Sequence, residues 1–337
     1  MAKKAEKTEK LTFQEMLTSL EKKYGLERTD PRELTIVSTG SLQLNQAMYV
    51  GGTALGKIVE LFGHFSSGKT TLTLHQMAEY QKAFPDKKVA LIDFENSFSR
   101  KYATAIGVDV DNLLIYQPDN QESAYDLILG LIEKDLVSCV VIDSQTAAAP
   151  KAVVDGDMGD ATIALQARNN SKFCLKVKGL LTIHKTTLFI ISQTRDNIGS
   201  YHGDSTITTG GHAIKFYSDI RWKVWIQKDQ KGESNRTTVD VVKSKIGRPF
   251  GQAKFNITWQ GTGIDTIREI IDYALEFGLI EIHGSWYSYG DTKLGQGTEG
   301  AKIVLNDNPE LLEEITNKVM DKLAPSNVIS VEKHENL

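Results

Sequence analysis

The fold is decided by the stretch Lys57-Ile58-Val59-Glu60-Leu61-Phe62-Gly63-His64-Phe65-Ser66-Ser67-Gly68-Lys69-Thr70-Thr71. An apolar run leads into a loop bounded by glycines, and residues with roughly helical spacing follow, so the stretch predicts a buried strand, a loop and a helix start. From Gly63 to Thr70 it fits G-x-x-x-x-G-K-[ST], a loop whose backbone N–H groups turn inward around a triphosphate. The positive end of the helix dipole would lie beneath the phosphates.

This loop predicts a site for ATP and Mg²⁺. We expect Lys69 to reach the β- and γ-phosphates and the Thr70 hydroxyl to be a metal ligand. The ATP-binding residues predicted here are Gly63, Ser66, Ser67, Gly68, Lys69, Thr70 and Thr71.

Composition is that of an ordinary globular protein, with 40% hydrophobic and 24% charged residues in a chain of 337. No apolar run approaches the roughly 20 residues of a membrane span, and the start does not lead into a signal peptide. We therefore expect a cytoplasmic protein with no membrane partner. Cys139 and Cys174 are predicted core residues rather than a disulfide or metal framework. Because the net charge is -4, any DNA binding must come from local loops.

Short apolar strands alternate with helices from Leu34 to about Gly263, which predicts a mainly parallel sheet with crossover connections. The predicted strands are Lys57–Phe62, Lys88–Asp93, Leu113–Gln117, Ser138–Asp143, Thr187–Gln193, Ile220–Gln227, Thr237–Lys243 and Ala253–Trp259. The predicted helices lie near 70–84, 99–106, 121–134 and 161–184.

The remaining segments flank this α/β core, which spans 34–263. Residues 1–33 form a tail and one amphipathic helix, with Thr12 and Glu15 as a capping box. Its apolar stripe must be buried by the chain's own core or by a neighbouring subunit. A small α/β domain at 264–323 and a short tail at 324–337 complete the predicted organisation.

Polar residues close three predicted strands, at the edge where ligands of parallel sheets lie. Asp143 ends an apolar run in the manner of a Walker B carboxylate that holds Mg²⁺ through water. Glu95 follows the neighbouring strand and is our candidate general base for the attacking water. Gln193 ends a third strand, where an amide could sense the γ-phosphate. The predicted catalytic residues are therefore Glu95, Lys69 and Gln193.

A long polar, glycine-rich segment follows Gln193 and runs to Gly211, and a shorter one lies at 154–160. Long loops without periodicity inside compact domains are usually functional or disordered. Both segments leave the sheet on the side of the γ-phosphate, so nucleotide state could order them.

At this point the sequence resembles the bacterial RecA recombinase family. The segments that carry the resemblance are Ser38-Thr39-Gly40-Ser41-Leu42, Ser66-Ser67-Gly68-Lys69-Thr70-Thr71-Leu72-Thr73-Leu74, Thr208-Thr209-Gly210-Gly211, Val241-Val242-Lys243-Ser244-Lys245-Ile246, Ser285-Trp286-Tyr287-Ser288-Tyr289, Leu294-Gly295-Gln296-Gly297 and Asp307-Asn308-Pro309-Glu310. The likeness covers roughly residues 12 to 323 in order. It implies a RecA-like P-loop ATPase core with an N-terminal interface helix, a twisted central sheet and a small C-terminal domain.

The resemblance also implies an ATP-dependent filament on single-stranded DNA that pairs and exchanges strands with homologous double-stranded DNA. It places Tyr102 and Trp259 near the adenine, and Lys243 and Lys245 at the ATP of the adjacent subunit. Phe216 would relay that subunit contact. Residues implied to contact DNA are Arg168, Arg195, Ile198, Gly199, Thr208, Thr209, Gly210 and Gly211.

Some positions depart from the family pattern. Ser99 stands where an acid is usual near the adenine, and Leu175 where a basic DNA contact is usual. The tail after Ala324 carries few acids. We interpret the chain as a divergent member, with a phage-encoded origin as a hypothesis.

Two other interpretations share the phosphate loop. A hexameric helicase-type motor is disfavoured by the Lys243-x-Lys245 pair. An ATP-gated assembly protein without a nucleic-acid role is favoured by the absence of net positive charge, but the glycine-bearing loops beside Gln193 count against it.

Overall fold

A computed structural model describes residues 12–25, 34–157, 164–196, 206–208, 210–228, 235–258 and 262–323. The chain forms two compact units, residues 1–35 and residues 36–337. The first unit contains helix α1, Phe13–Tyr24, and the predicted capping box at its start is present. Thr12 N–H donates to Glu15 Oε2 at 2.7 Å, and Gly25 ends the helix with φ +63°. Phe13, Met16, Leu20 and Tyr24 of α1 are exposed, and Leu17 is half-buried.

The second unit is built on one large sheet. Its elements as far as the phosphate-loop helix are β1 (Ile36–Val37), α2 (Leu42–Ala47), β2 (Thr53–Ala54), β3 (Ile58–Gly63) and α3 (Lys69–Ala83). There follow β4 (Lys88–Asp93), α4 (Arg100–Ile106), β5 (Leu113–Tyr116), α5 (Gln121–Glu133), β6 (Val137–Asp143), a 3₁₀ turn (Gln145–Ala147), α6 (Lys151–Asp155) and α7 (Leu165–His184). The core continues with β7 (Thr187–Asp196), β8 (Thr206–Thr208), α8 (Ala213–Tyr217), β9 (Ile220–Lys228), β10 (Asn235–Ser244), β11 (Gln252–Thr258) and β12 (Gly263–Ile264).

The order of the large sheet is β12-β11-β10-β9-β3-β7-β6-β4-β5, with β8 paired to β7. Strands β9, β3, β7, β6, β4 and β5 are parallel neighbours, whereas β10, β11 and β12 are added antiparallel. The predicted α/β fold with a mainly parallel sheet is confirmed. The predicted helix at 161–184 is observed from Leu165, and Trp259 of the last predicted strand lies outside the described residues.

Helices cover both faces of this sheet. Every residue of β3 and of β6 is buried, as expected for central strands of a parallel sheet. On one face, α3 packs Leu72, Met77 and Tyr80 into a cluster with residues of α2 and α4. On the other face, α5 and α7 form a second cluster with residues that include Ile128 and Phe173. The predicted core cysteines are both buried.

The C-terminal part has a hydrophobic core of its own. It consists of α9 (Thr266–Glu276), β13 (Glu281–His283), β14 (Trp286–Tyr289), β15 (Thr292–Gln296), α10 (Gly297–Asp307) and α11 (Pro309–Leu323). The three strands form an antiparallel sheet, and Ile271, Leu305 and Val319 lie in the core. Glu269 of α9 is buried and accepts hydrogen bonds from Ser41 Oγ at 2.6 Å and Leu42 N at 2.9 Å. Helix α9 is thereby joined to the start of α2. Within the described ranges, no helix has the length and apolar character needed to cross a membrane.

Candidate functional site

The phosphate loop lies between β3 and α3, as the sequence predicts, and its glycines are required by close packing. A Cβ atom on Gly63 would lie 2.0 Å from the carbonyl oxygen of Val224. Gly68 precedes α3 with φ +96°, and a Cβ atom there would lie 2.5 Å from Ile257 Cδ1. Strands β9 and β11 therefore pack closely against the loop, so that a side chain at either glycine would collide with them.

Lys69 is buried at the start of α3 and points back over the loop. Its Nζ donates to the carbonyl oxygens of Gly63 at 3.1 Å and His64 at 2.6 Å, and to Ser67 Oγ at 3.3 Å. Burial lowers the pKa of Lys69, and the nearby carboxylates of Asp143 and Glu95 oppose that shift. The ammonium group is thus held beside a cavity of about 180 Å³ that Ser66, Thr70, Glu95, Asp143 and Gln193 help to line.

Thr70 and Asp143 meet at the edge of this cavity. Thr70 Oγ1 donates to Asp143 Oδ2 at 2.8 Å. Burial raises the pKa of Asp143 to about 6; the nearby carboxylates of Glu95 and Asp93 add to this shift, whereas the Thr70 hydrogen bond and Lys69 oppose it. A buried carboxylate beside other carboxylates suits a divalent cation, whose positive charge would balance their negative charges. The described part of the chain contains no cluster of three His, Cys, Asp or Glu that could hold a metal.

Glu95 is held by two donors from neighbouring strands. Gln193 Nε2 and Ser144 Oγ donate to the same oxygen, Glu95 Oε1, at 2.5 Å and 2.6 Å. The register explains the meeting, because Gln193 pairs with Gly63 in the parallel sheet and Asp143 pairs with Asp93. Every predicted phosphate-site residue at a strand end therefore lies at one edge.

Two residues of this site were missed by the sequence reasoning. Ser144 holds Glu95, and Thr146 Oγ1 accepts a hydrogen bond from Gln193 N at 3.0 Å. Ser144 directly follows Asp143, the predicted Walker B carboxylate, and Thr146 lies two residues further on. Their position after Asp143 at a strand end was the available signal, since polar residues there face the ligand edge.

The predicted adenine-side residues are partly described. Tyr102 OH lies 3.0 Å from Thr71 Oγ1, which puts its ring beside the first turn of α3. Ser99 serves as the N-cap of α4. Trp259 lies outside the described residues.

Lys243 and Lys245 lie near the beginnings of strands β9 and β3, at the opposite end of β3 from the phosphate loop of their own chain. Lys243 pairs with Arg221 near the beginning of β9, and its Nζ donates to the carbonyl oxygens of Lys215 and Phe216 at 3.0 Å each. Lys245 Nζ lies 3.7 Å from Asp219, whose carboxylate accepts from the N–H group of Ile58 at the start of β3. The structure therefore does not bring these lysines to the ATP site within one subunit.

The predicted DNA-contact residues flank α7 and β7. Arg168 is exposed on α7, and Arg195 pairs through its backbone with Ile207 in the β7–β8 hairpin. In the same hairpin Thr208 pairs with Thr194. Gly210 and Gly211 lie against α7, because Cβ atoms on them would meet Asn170 and Ala167. Ile198, Gly199 and Thr209 lie outside the described residues.

Fold and site together define a P-loop ATPase with a parallel central sheet. The chain belongs to the RecA family: the RecA N-terminal domain model matches residues 12–265 and the RecA C-terminal domain model matches residues 268–324. It is similar to "Protein RecA" of Bacteroides thetaiotaomicron, with 45% identity over 295 residues, which cover 86% of this chain and 88% of the relative. The corresponding protein of Clostridium novyi is 40% identical over 320 residues, or 92% of this chain and 91% of the relative. The chain is therefore a recombinase of DNA recombination and repair, and its enzyme activity is DNA-dependent ATP hydrolysis.

Proposed function

We propose that the chain binds ATP and Mg²⁺ at the phosphate loop, assembles as a filament on single-stranded DNA and exchanges strands with homologous double-stranded DNA. The observation that carries this proposal is the meeting of Lys69, the Thr70–Asp143 pair and the Glu95–Gln193 pair around one cavity. Family membership supplies the DNA partner. The domain division at 34–263 and 264–323 belongs to the same proposal.

For nucleotide binding, the loop N–H groups and Lys69 hold the phosphates, and Tyr102 and Trp259 flank the base. Thr70 and Asp143 would hold Mg²⁺, whose charge offsets that of the phosphates. Lys69 Nζ donates to carbonyl oxygens of the loop. On nucleotide binding, phosphate oxygens would replace these carbonyl oxygens as its acceptors.

For hydrolysis, Glu95 acts as the general base that orients and deprotonates water. Two donors fix Oε1 of this carboxylate, which lines the cavity and is also exposed to solvent, so water can reach it. A fixed base contributes typically about 10²–10⁴-fold to such a reaction. Gln193 is close enough to Glu95 to report the γ-phosphate to β7 and to the residues that follow it.

For assembly, the position of Lys243 and Lys245 supports an ATP site that two subunits share. They lie near the edge of the sheet where β3 begins, whereas the phosphate loop follows the end of β3. Head-to-tail stacking of subunits would place one edge against the other, and a heterologous contact of this kind generates a helical filament when it does not close. Phe216, which is exposed on α8 next to Lys243, supports the same surface.

For DNA binding, we propose contacts by Arg168, Arg195, Ile198, Gly199, Thr208, Thr209, Gly210 and Gly211. Exposure of Arg168 and the approach of the two glycines to α7 support a common surface. Backbone N–H groups and arginines suit phosphate contacts, which carry no sequence preference.

Steady-state ATP hydrolysis with and without single-stranded DNA tests the proposal. Protein concentration is titrated at fixed low salt, because phosphate contacts weaken steeply as salt rises. We expect DNA to stimulate hydrolysis with a dependence on protein concentration steeper than one-to-one binding. The Lys69→Ala protein serves as the control for contaminating ATPases. Hydrolysis that is indifferent to DNA would contradict the proposal.

A further inference from the structure

A cluster of buried polar side chains joins α5 and α7 to the backbone of Gly210. We call it the Asn170 cluster; it consists of Gln121, Tyr125 and Asn170, all buried. Asn170 Oδ1 accepts from Tyr125 OH at 2.6 Å and from Gln121 Nε2 at 2.8 Å. Asn170 Nδ2 donates to the carbonyl oxygen of Gly210 at 2.7 Å. Both ends of the carboxamide are thus satisfied, which fixes its orientation.

The partners of Asn170 are themselves held in place. The ring of Tyr125 stacks on Phe173 with centroids 4.0 Å apart and planes 13° from parallel. Gln121 Oε1 accepts from Asn169 Nδ2 at 3.0 Å. Because these side chains cannot turn without losing buried hydrogen bonds, Asn170 presents its N–H₂ group at one fixed point.

The fixed point holds the backbone at the end of the predicted DNA-contact segment. Gly210 and Gly211 both have φ +87°, in the left-handed region that favours glycine. A Cβ atom on Gly211 would lie 2.7 Å from Ala167 Cβ, one residue from Arg168. The carbonyl bond to Asn170 therefore sets the two glycines against the helix that carries the exposed arginine.

Gln145 lies on the other side of Gly210 and connects it to the phosphate site. It follows Asp143 and Ser144, is fully buried, and a Cβ atom on Gly210 would lie 2.3 Å from its Nε2. Neither polar atom of its carboxamide has a hydrogen-bond partner among the residues that the structure describes. Buried amide groups without a hydrogen bond are rare in folded proteins. This amide lies beside the backbone of Gly210.

We propose that Asn170 is a positioning residue for the DNA-dependent reaction. Through the Gly210 carbonyl it fixes Gly210 and Gly211 relative to Arg168. It also fixes them relative to Gln145, which is two residues after Asp143 in the sequence. This inference rests on the proposed DNA binding by the segment after Gln193. Asn170 acts on how tightly DNA engages the chain, while nucleotide binding stays with the phosphate loop. Loss of the Asn170 cluster should weaken DNA stimulation without weakening the affinity for ATP.

The test compares Asn170→Leu and Tyr125→Phe with the wild type. ATP hydrolysis is measured against increasing poly(dT), and the affinity for a fluorescent ATP analogue is measured without DNA. In Asn170→Leu we expect the poly(dT) concentration for half-maximal hydrolysis to rise about 10-fold, the effect of one hydrogen bond. In Tyr125→Phe, where one of two donors to Asn170 is lost, we expect about 3-fold. Affinity for the analogue should not change in either variant.

Tyr80→Phe is the matched control. Tyr80 OH is also buried and donates to Thr187 Oγ1 at 2.9 Å, on the opposite face of the sheet from Tyr125. We expect it to keep the wild-type poly(dT) dependence. Thermal unfolding reports whether the Asn170→Leu protein is folded. If it is not folded, the poly(dT) dependence of Tyr125→Phe tests the role of Asn170. Folded variants with the wild-type poly(dT) dependence would overturn the role of Asn170, whereas a wild type that poly(dT) does not stimulate would overturn the proposed function itself.

Discussion

Gln193 Nε2 donates a hydrogen bond to Glu95 Oε1 at 2.5 Å, which joins the ends of β7 and β4 across β6 between them. Ser144, which follows β6, donates to the same oxygen. Three adjacent strands thus contribute to the position of a single carboxylate. The consequences of this arrangement can be measured separately for binding, hydrolysis and assembly.

Replacing Lys69 by alanine should weaken ATP binding about 10- to 150-fold, because a charge-assisted hydrogen bond is worth roughly 1.5–3 kcal/mol and the loop has no second lysine. Binding of a fluorescent ATP analogue measures the loss. The control is Lys82→Ala on the same helix, since Lys82 is exposed and pairs with Glu79 at 2.8 Å. Comparable weakening in both variants would contradict the role of Lys69.

The Glu95→Gln protein should bind ATP with wild-type affinity and hydrolyse it about 10²–10⁴-fold more slowly, since the amide cannot take a proton from water. Filaments should persist after ATP addition for the same reason. Single-turnover hydrolysis and electron microscopy provide the two measurements. Glu133→Gln, an exposed position at the far end of α5, should behave as wild type. Normal turnover by Glu95→Gln would remove Glu95 from the catalytic role.

Replacing Ser144 by alanine should lower kcat about 10-fold and leave the affinity for ATP unchanged, because Glu95 loses one of the two donors that orient it. Ser144→Thr keeps the hydroxyl and should recover part of the rate. Ser138→Ala is the matched control. It lies on β6, the strand that Ser144 directly follows, and is buried, and its Oγ has no partner among the described residues. Equal rates in the Ser144→Ala and Ser138→Ala proteins would exclude this role.

Lys69→Ala and Lys243→Ala proteins should each be inactive alone and regain ATP hydrolysis when mixed. If Lys243 serves the neighbouring subunit, about a quarter of the interfaces in an equal mixture combine an intact phosphate loop with an intact lysine. Hydrolysis in the presence of single-stranded DNA measures the recovery. A mixture that stays inactive at every ratio would contradict a shared site.

Stability should depend on pH through Glu269. Burial raises the pKa of Glu269 to about 7 from an ordinary value of 4.5, although Ser41 and Leu42 donate to the carboxylate. The folded state therefore keeps a proton that the unfolded state releases between these values. This stabilisation is complete below about pH 4.5 and is lost as pH rises through 7.

The measurement is the free energy of unfolding of the wild type minus that of Glu269→Gln, which cannot titrate. We expect this difference to fall by about 1–3 kcal/mol between pH 5 and pH 8. Glu276→Gln changes an exposed carboxylate on the same helix and should leave the pH dependence of the wild type unaltered. A constant difference for Glu269→Gln would show that burial does not shift this group.

The class of fold and the predicted phosphate site could both be inferred from the sequence alone. Consecutive residues specify a loop, so Gly63 to Thr70 could be recognised without knowing what surrounds them. The positions of Asp143, Glu95 and Gln193 also followed from the sequence, because parallel strands end at one edge and their final residues must meet there.

The contacts between side chains that are distant in the sequence, at that edge and elsewhere, became known only from the tertiary structure. Tyr125 and Asn170 are 45 residues apart and meet because α5 and α7 pack side by side on the sheet. The contact between Ser144 and Glu95 likewise depends on how the strands are arranged. So does the separation of Lys243 from the phosphate loop of its own chain. Periodicity and motifs report which face or edge a residue occupies, whereas hydrogen bonds over angstrom distances depend on how distant segments pack.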